Sequence, residues 1–407
     1  MNQRRISTGT MIGYSVANFG VNMVNAFSNT ALPLFLGTYH LPNVLIGFLA
    51  QERSFVGGFV QPFIGLISDR TTSRWGRRKP FFLLGVPLTS AALLFLSTHP
   101  PLWAVLVLLL FFSFFLAVAN DPYLALMADI TPEEQRGRMG SVAAVFNMVG
   151  QVSMLAIASF FWGSHEQWVF AAIAAGLILT FATTFVAIKE PERAVEPPSM
   201  AGLTPVAYLR NVLKHREVAK FAATQFFFWF GSGSAVPFLT CFGVEELKVE
   251  EDVAFRLVLV AVLATALSAV PVGILADRFG KKRVLSYGLA SFTLTVLVGA
   301  LTVYSVPAAV VMMALVGINN AVTITLAFPL LADLMPPDRK GEFTGLGSLV
   351  WSLAQPLGST WAGLMVDMTG SYRTVFVVAG VMIGLSYLGL QTVRPELAHL
   401  VPEAAAL

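Results

Sequence analysis

About twelve times along its 407 residues the chain runs for some twenty residues with hardly a charge. A run of that length, wound at about 1.5 Å per residue, matches a hydrocarbon core roughly 30 Å thick. Backbone amides find no water in lipid, so each such run must be a helix that satisfies its own hydrogen bonds. Charged residues make up 12% of the chain, against roughly 25% in soluble domains. The fold class expected is an all-α polytopic membrane protein of about 12 transmembrane helices in two six-helix bundles. The spans are placed at 9–39, 43–68, 81–97, 101–127, 139–162 and 167–188, then at 221–244, 253–276, 284–304, 308–331, 343–366 and 375–393. Between the two sets lies a polar, proline-containing stretch with six Lys/Arg. The division is therefore an N-terminal bundle 1–188, a linker 189–220 and a C-terminal bundle 221–407. Within the linker, 191–198 reads as irregular and 203–215 as a short surface helix.

The net charge of +3 would suit a nucleic-acid binder, but the arrangement of the charges points to membrane topology. With both termini in the cytoplasm, 22 of the 26 Lys/Arg fall on the cytoplasmic side. Only Lys248 and Arg373 fall outside, while Arg53 and Arg256 lie within expected helices. Arg4 and Arg5 precede an apolar run, but that run is too long for a signal peptide and carries three asparagines. The single cysteine, Cys241, excludes an intrachain disulfide, and the five histidines have no metal-ligand spacing. No nucleophile elbow and no phosphate-cradling loop occurs, so no enzyme, cofactor or ATP-driven pump is expected.

The halves repeat each other. Gly65-x-x-x-Asp69-Arg70…Gly76-Arg77-Arg78 returns as Gly273-x-x-x-Asp277-Arg278-Phe279-Gly280-Lys281-Lys282-Arg283. Asp129-Ile-Thr-Pro132…Arg136-Gly137 returns as Asp333-Leu-Met-Pro336…Lys340-Gly341. The offsets, 208 and 204, differ by the four residues that lengthen the first basic loop. Parallel repeats of this kind place a substrate site near the midplane and work by alternating access.

The Gly-x-x-x-Asp-Arg loop in both halves resembles that of the major facilitator superfamily. The longer form, Ser68-Asp-Arg-Thr-Thr-Ser-Arg-Trp-Gly-Arg-Arg-Lys-Pro80, is similar to the glycoside/cation symporter and sucrose-transporter branch, as is Pro122-Tyr-Leu-Ala-Leu-Met-Ala-Asp129. The resemblance implies the two-bundle fold and a sugar or glycoside as substrate, moved with H⁺ or Na⁺. Two departures bear on this. Plant sucrose carriers have an acid within the fourth helix, where this chain has Ser113–Ala119 without one, and an arginine where this chain has Leu124.

Several polar residues inside the spans are candidates for substrate binding or coupling. Asn18, Asn22, Asn25 and Asn29 follow i, i+4, i+7, i+11, one face of the first helix. Amides both donate and accept, as sugar hydroxyls require, but they also serve as glue between helices. Glu52 and Arg53 lie about 25 Å above Asp69 and point about 100° apart, either as gate groups or as structural ions. Asp121 is the deepest acid of the first half and suits a proton carrier; otherwise it bonds Asn120 beside a proline kink. Weaker candidates are Asn147 with Gln151, Gln225 with Trp229, Asn319 with Asn320, and Trp351 with Gln355. The tryptophans would stack on a sugar face or serve packing. Asp69, Arg70, Arg77, Arg78, Asp277 and Arg278 form a conformational latch in this reading, with the aspartates meeting helix N-termini or arginines of the opposite half. Asp129 with Arg136 and Arg138, and Asp333 with Arg339, would extend it.

A secondary transporter of a small polar solute follows, monomeric and embedded in the lipid bilayer of a prokaryotic plasma membrane, with no nucleic-acid partner. Export of drugs or amphipathic metabolites is the alternative within transport. A non-transporting membrane assembly factor is the alternative outside it.

Overall fold

A computed structural model describes residues 5–190, 215–334 and 340–394. Arg339, the irregular stretch expected at 191–198 and nearly all of the surface helix expected at 203–215 lie outside the described residues. Among the described residues there is no strand, and nine helices are long and apolar enough to cross a membrane. Three more expected spans are helical as well.

The first of these three is α1 (Thr8–Ala26), a π turn (Phe27–Ala31) and α2 (Leu32–Gly37), running without a break. The second, expected as one helix, divides into α3 (Asn43–Ala50) and α4 (Glu52–Arg70), because Gln51 leaves helical geometry at φ −116°, ψ 10°. Then come α5 (Lys79–Leu96), α6 (Leu102–Ile130), α7 (Arg136–Phe161) and α8 (Glu166–Ala187). In the second half are α9 (Arg216–Ala235), a 3₁₀ turn, α10 (Leu239–Glu245), α11 (Glu251–Phe279), α12 (Lys281–Thr302) and α13 (Val306–Leu334). The third interrupted or polar span is α14 (Lys340–Thr369), and α15 (Arg373–Thr392) closes the series. Proline sets the 3₁₀ turn that parts α9 from α10: Pro237 has no N–H to donate to the preceding turn.

The described residues form two compact units: 5–41, 49–190 and 250–259 in the first, and 42–48, 215–249, 260–334 and 340–394 in the second. Helix pairing repeats from one to the other. In the first unit α1 packs on α7 and α8, and α5 packs on α6 and α8. In the second, α9 packs on α14 and α15, and α12 packs on α13 and α15. Small residues allow these approaches: a Cβ added to Gly150 on α7 would sit 2.9 Å from backbone carbon of Phe19 on α1.

Each unit is filled by aromatic and aliphatic side chains. Tyr14, Phe27, Phe35, Phe112, Tyr123, Phe170 and Phe181 are fully buried in the first; Phe221, Phe228 and Phe238 in the second. Large apolar side chains also face outward, Trp103, Phe160 and Val186 being more than 70% exposed. Water would penalise that surface, whereas lipid solvates it.

Candidate functional site

The asparagine stripe of α1 is the spine of a polar chain through the first unit. Asn18 Nδ2 donates to the Tyr123 hydroxyl at 2.6 Å, and that hydroxyl donates to Tyr14 O at 3.0 Å. Tyr14 returns a bond to Tyr123 O at 3.1 Å, and the two rings stack with centroids 4.5 Å apart. Asn22 Nδ2 donates to Asn147 Oδ1 on α7 at 2.6 Å. Asn25 Nδ2 donates to Asn22 Oδ1 at 3.3 Å, and Arg53 donates to Asn25 Oδ1. Asn29, inside the π turn, accepts from Gln51 Nε2 at 2.7 Å.

The two interruptions of regular helix therefore meet: the π turn presents Asn29, and the break between α3 and α4 presents Gln51, Glu52 and Arg53. A π turn widens the helix by one residue and is frequent at functional sites. Glu52 is only 4% exposed. Its Oε1 accepts from Ser113 Oγ on α6 at 2.6 Å, and its Oε2 is buried without a partner among the described residues. Glu52 and Arg53 engage different neighbours, as their angular separation on the helix dictates. Asp121, half-buried on α6, likewise keeps a buried Oδ2 without a partner among the described residues. Asn120 and Gln151 are half-buried and take no part in these bonds. The assembled set of amides, guanidinium, hydroxyls and carboxyls supplies both donors and acceptors, the inventory that polyhydroxylated solutes need.

At the basic end of the same unit the charges of the loop 71–78 are closely matched. Arg78 pairs with Asp69 at 2.5 Å and with Asp129 at 3.1 Å, and also donates to Ser68 Oγ. Arg77 pairs with Asp129 at 2.6 Å. Asp69 thus meets an arginine of its own unit, and Asp129 is held by Arg77 and Arg78. Arg70 and Arg138 are exposed. Sequence reasoning missed Glu190, which it assigned to the linker. Its carboxylate accepts the N–H groups of Arg77 at 2.8 Å, Arg78 at 3.1 Å and Lys79 at 2.9 Å. Gly76, at φ +106°, turns the chain into this arrangement; a Cβ there would be 2.8 Å from the second Glu190 oxygen and strained besides. Gln51, Ser113, Tyr14 and Tyr123 were missed too; proximity of Gln51 to the Glu52-Arg53 pair was the one available signal.

In the second unit, Trp229 and Trp351 meet edge to face with centroids 6.2 Å apart. Trp351 is 41% exposed, so the pair is open on one side. Gln225 and Gln355 are half-buried on the same two helices, α9 and α14. Asn319 is buried and donates to Thr295 Oγ1 at 3.2 Å, which joins α13 to α12; Asn320 is half-buried. Lys281 pairs with Asp333 at 2.7 Å, and the Arg278 guanidinium lies over the Phe279 ring. Asp277 is exposed. At the other end of this unit Asp367 accepts the N–H groups of Asn43 at 2.8 Å and Val44 at 2.9 Å, capping α3. Tyr372 donates to Asn43 Oδ1 at 2.7 Å; burial raises its phenol above the usual range, so it remains a donor. Among the described residues no cluster of His, Cys, Asp and Glu could hold a metal ion.

A family model described as MFS/sugar transport protein matches residues 13–391. Among curated proteins, the membrane-associated transporter protein of Mus musculus is 26% identical over 49% of this chain and 43% of its own length. Sucrose transport protein SUT1 of Oryza sativa subsp. japonica is 26% identical over 40% of this chain and 34% of its own length. These matches span less than half of either relative. Multidrug resistance protein 2 of Bacillus subtilis is 24% identical over 92% of both chains. Among solved structures, the nucleoside transporter NupG superposes with a TM-score of 0.74 at 13% identity, covering 95% of this chain and 100% of that one. A bacterial homologue of the human lysosomal transporter Spinster, inward-facing and occupied, gives 0.72 at 15% identity, covering 97% and 96%.

Proposed function

Because the chain belongs to the MFS/sugar transport protein family, we propose that it is a secondary transporter that carries a sugar or glycoside by alternating access, coupled to H⁺ or Na⁺. The observation that carries this reading is the polar run along one face: Tyr123 meets the Asn18 side chain, Asn22 joins it through the Asn18 main-chain carbonyl, and Asn22, Asn25 and Arg53 follow side chain to side chain, with Asn29 and Gln51 alongside. Amides can tie membrane helices together, as Asn18 does here; the half-buried Asn22, Asn25 and Asn29 on the same face also offer the donors and acceptors that a solute path needs. In this reading the half-buried amides Asn22, Asn25 and Asn29 exchange their mutual bonds for bonds to sugar hydroxyls. Asp121 and Glu52, each with an unpartnered carboxyl oxygen, offer places for a coupling proton or cation. The loop 71–78, held by Asp69, Asp129 and Glu190, is the latch of the first unit. The proposal includes a division into bundles at 1–188 and 221–407, termini on the basic, cytoplasmic side of a bacterial plasma membrane, and a monomer.

Full-length relatedness to a multidrug resistance protein, together with the open Trp229–Trp351 pair, supports export of aromatic amphiphiles as the second reading. Uptake into proteoliposomes from a panel of mono- and disaccharides and glycosides, with and without pH and Na⁺ gradients, separates the two. Gradient-driven accumulation of a sugar is the expected result. Flux of cationic dyes with no flux of any sugar would replace the first reading with the second.

A further inference from the structure

The two units differ in charge at one matched place, and that difference leaves a cavity in the second. Past the four-residue insertion the repeat holds a constant spacing: Arg77 and Lys281, Arg78 and Lys282, Lys79 and Arg283, Asp129 and Asp333 are each 204 residues apart. The ion pairs confirm the register, since Arg77–Asp129 at 2.6 Å has its counterpart in Lys281–Asp333 at 2.7 Å. At the same spacing Glu190, followed by Pro191, corresponds to Arg394, followed by Pro395. In the first unit the Glu190 carboxylate fills the space at the start of α5 and takes three N–H groups there. In the second unit the corresponding residue is a cation. Gly280 at φ +91° repeats the turn of Gly76, yet among the described residues no side chain takes the N–H groups at the start of α12.

The result is an open cavity of about 1040 Å³ whose lining includes Lys281, Lys282, Arg283 and Arg394 against Asp277 and Asp333. Among the described residues four cations thus face two carboxylates, and one of those, Asp333, is already held by Lys281. Lys282 and Arg283 have no ion-pair partner among the described residues. Glu217 stands behind Arg394, but its oxygens are engaged by the Arg394 backbone N–H at 2.6 Å and the Lys220 ammonium at 2.7 Å. Tyr287, 71% exposed, and Tyr387 complete a mouth with an aromatic edge, the side chains suited to a membrane–water boundary.

We propose that this cavity binds a phosphate-bearing anion in the position that the first unit fills with its own carboxylate. A phosphate would meet the Lys282 ammonium, the Arg283 and Arg394 guanidinium groups and the N–H groups at the start of α12 that no described side chain takes. These are the donors that anions select. Basic cavities between helices at the membrane surface take anionic lipid headgroups in the same way. The source is either a phospholipid headgroup or a free phosphate compound, and the shared chemistry is the phosphate.

The test uses the full-length purified chain with two probes. Native mass spectrometry in detergent measures retention of phosphatidylglycerol against phosphatidylcholine, and a thermal-shift titration measures inorganic phosphate. Each surface cation contributes about fivefold in affinity for an anionic lipid, so Lys282→Gln with Arg283→Gln is expected to weaken binding about 25-fold. Arg394→Glu, which rebuilds the arrangement of the first unit, is expected to abolish binding. If Arg394→Glu does not fold, the Gln pair decides alone. Phosphatidylglycerol retained by the parent and lost in the variants supports a lipid source; a phosphate shift lost in the variants, without lipid preference, supports a soluble one. No preference for either probe, or a preference unchanged in the variants, overturns the proposal. None of these outcomes depends on which solute the chain carries.

Discussion

Glu190→Ala removes one ionised acceptor shared by three backbone donors, at 2.8, 3.1 and 2.9 Å from Arg77, Arg78 and Lys79. Losing a side chain that caps a helix costs about 0.5–2 kcal/mol, and losing the charge at the positive end of the helix adds about 0.3–1 kcal/mol. The sum is about 2 kcal/mol, taken near the middle because Glu190 is half-buried. The loop should not melt outright, since Arg77 and Arg78 still reach Asp69 and Asp129. Hydrogen exchange followed by mass spectrometry reads the local opening directly. In the regime where opening is at equilibrium, about 2 kcal/mol corresponds to roughly 30-fold faster exchange at the amides of Arg77–Lys79. Glu190→Gln keeps an acceptor oxygen without the charge and should fall between. The amides of Lys281–Arg283 serve as the control and should not change. Equal exchange at 77–79 in the parent and Glu190→Ala would mean that the ion pairs alone hold the loop, and the capping argument would be wrong.

Asp121→Asn should abolish gradient-driven accumulation while leaving counterflow exchange intact; driven uptake at the parental rate would remove Asp121 as a coupling site. A double-mutant cycle of Asn22→Ala and Asn147→Ala should show a coupling of about 1 kcal/mol in solute affinity, and strict additivity would show that the 2.6 Å bond between them is not part of the binding arrangement. Gly150→Val places a branched side chain against the Phe19 backbone, where even a Cβ would sit 2.9 Å from backbone carbon. It should sharply lower the yield of folded protein in fluorescence-detected size exclusion, and a parental yield would show that α1 and α7 are free to separate there.

Much of this architecture was legible because lipid imposes a simple code. Length and apolarity specify where helices run, and the constant repeat spacing places the basic loops at matching ends of the two units. The asparagine stripe was legible as a face, since its spacing is that of a helix. Its partners were not: Tyr123, Asn147, Gln51 and Arg53 come from other segments, and only folding brings them to the stripe. The break at Gln51 escaped notice because the residues around it are acceptable helix formers, and tertiary bonding to Asn29 accompanies a turn that propensity does not demand. Glu190 was hidden by composition, lying at the edge of a polar stretch that reads as linker. The Asn319-Asn320 pair shows the opposite case. Spacing offered both as lining, and the structure uses Asn319 to tie α13 to α12.

The π turn at Phe27–Ala31 behaves as an insertion concealed inside a continuous rod. Leu32 N–H reaches back five residues to Phe27 O rather than four. Removing one residue from 27–31 would let ordinary helix close across the gap with the flanking segments near their present register, because the wide turn absorbs the extra residue. The rod would survive with its apolar content nearly unchanged, yet Asn29 would swing away from Gln51. Across relatives, the length of this one segment is therefore a marker of the Gln51–Asn29 contact that hydropathy cannot register.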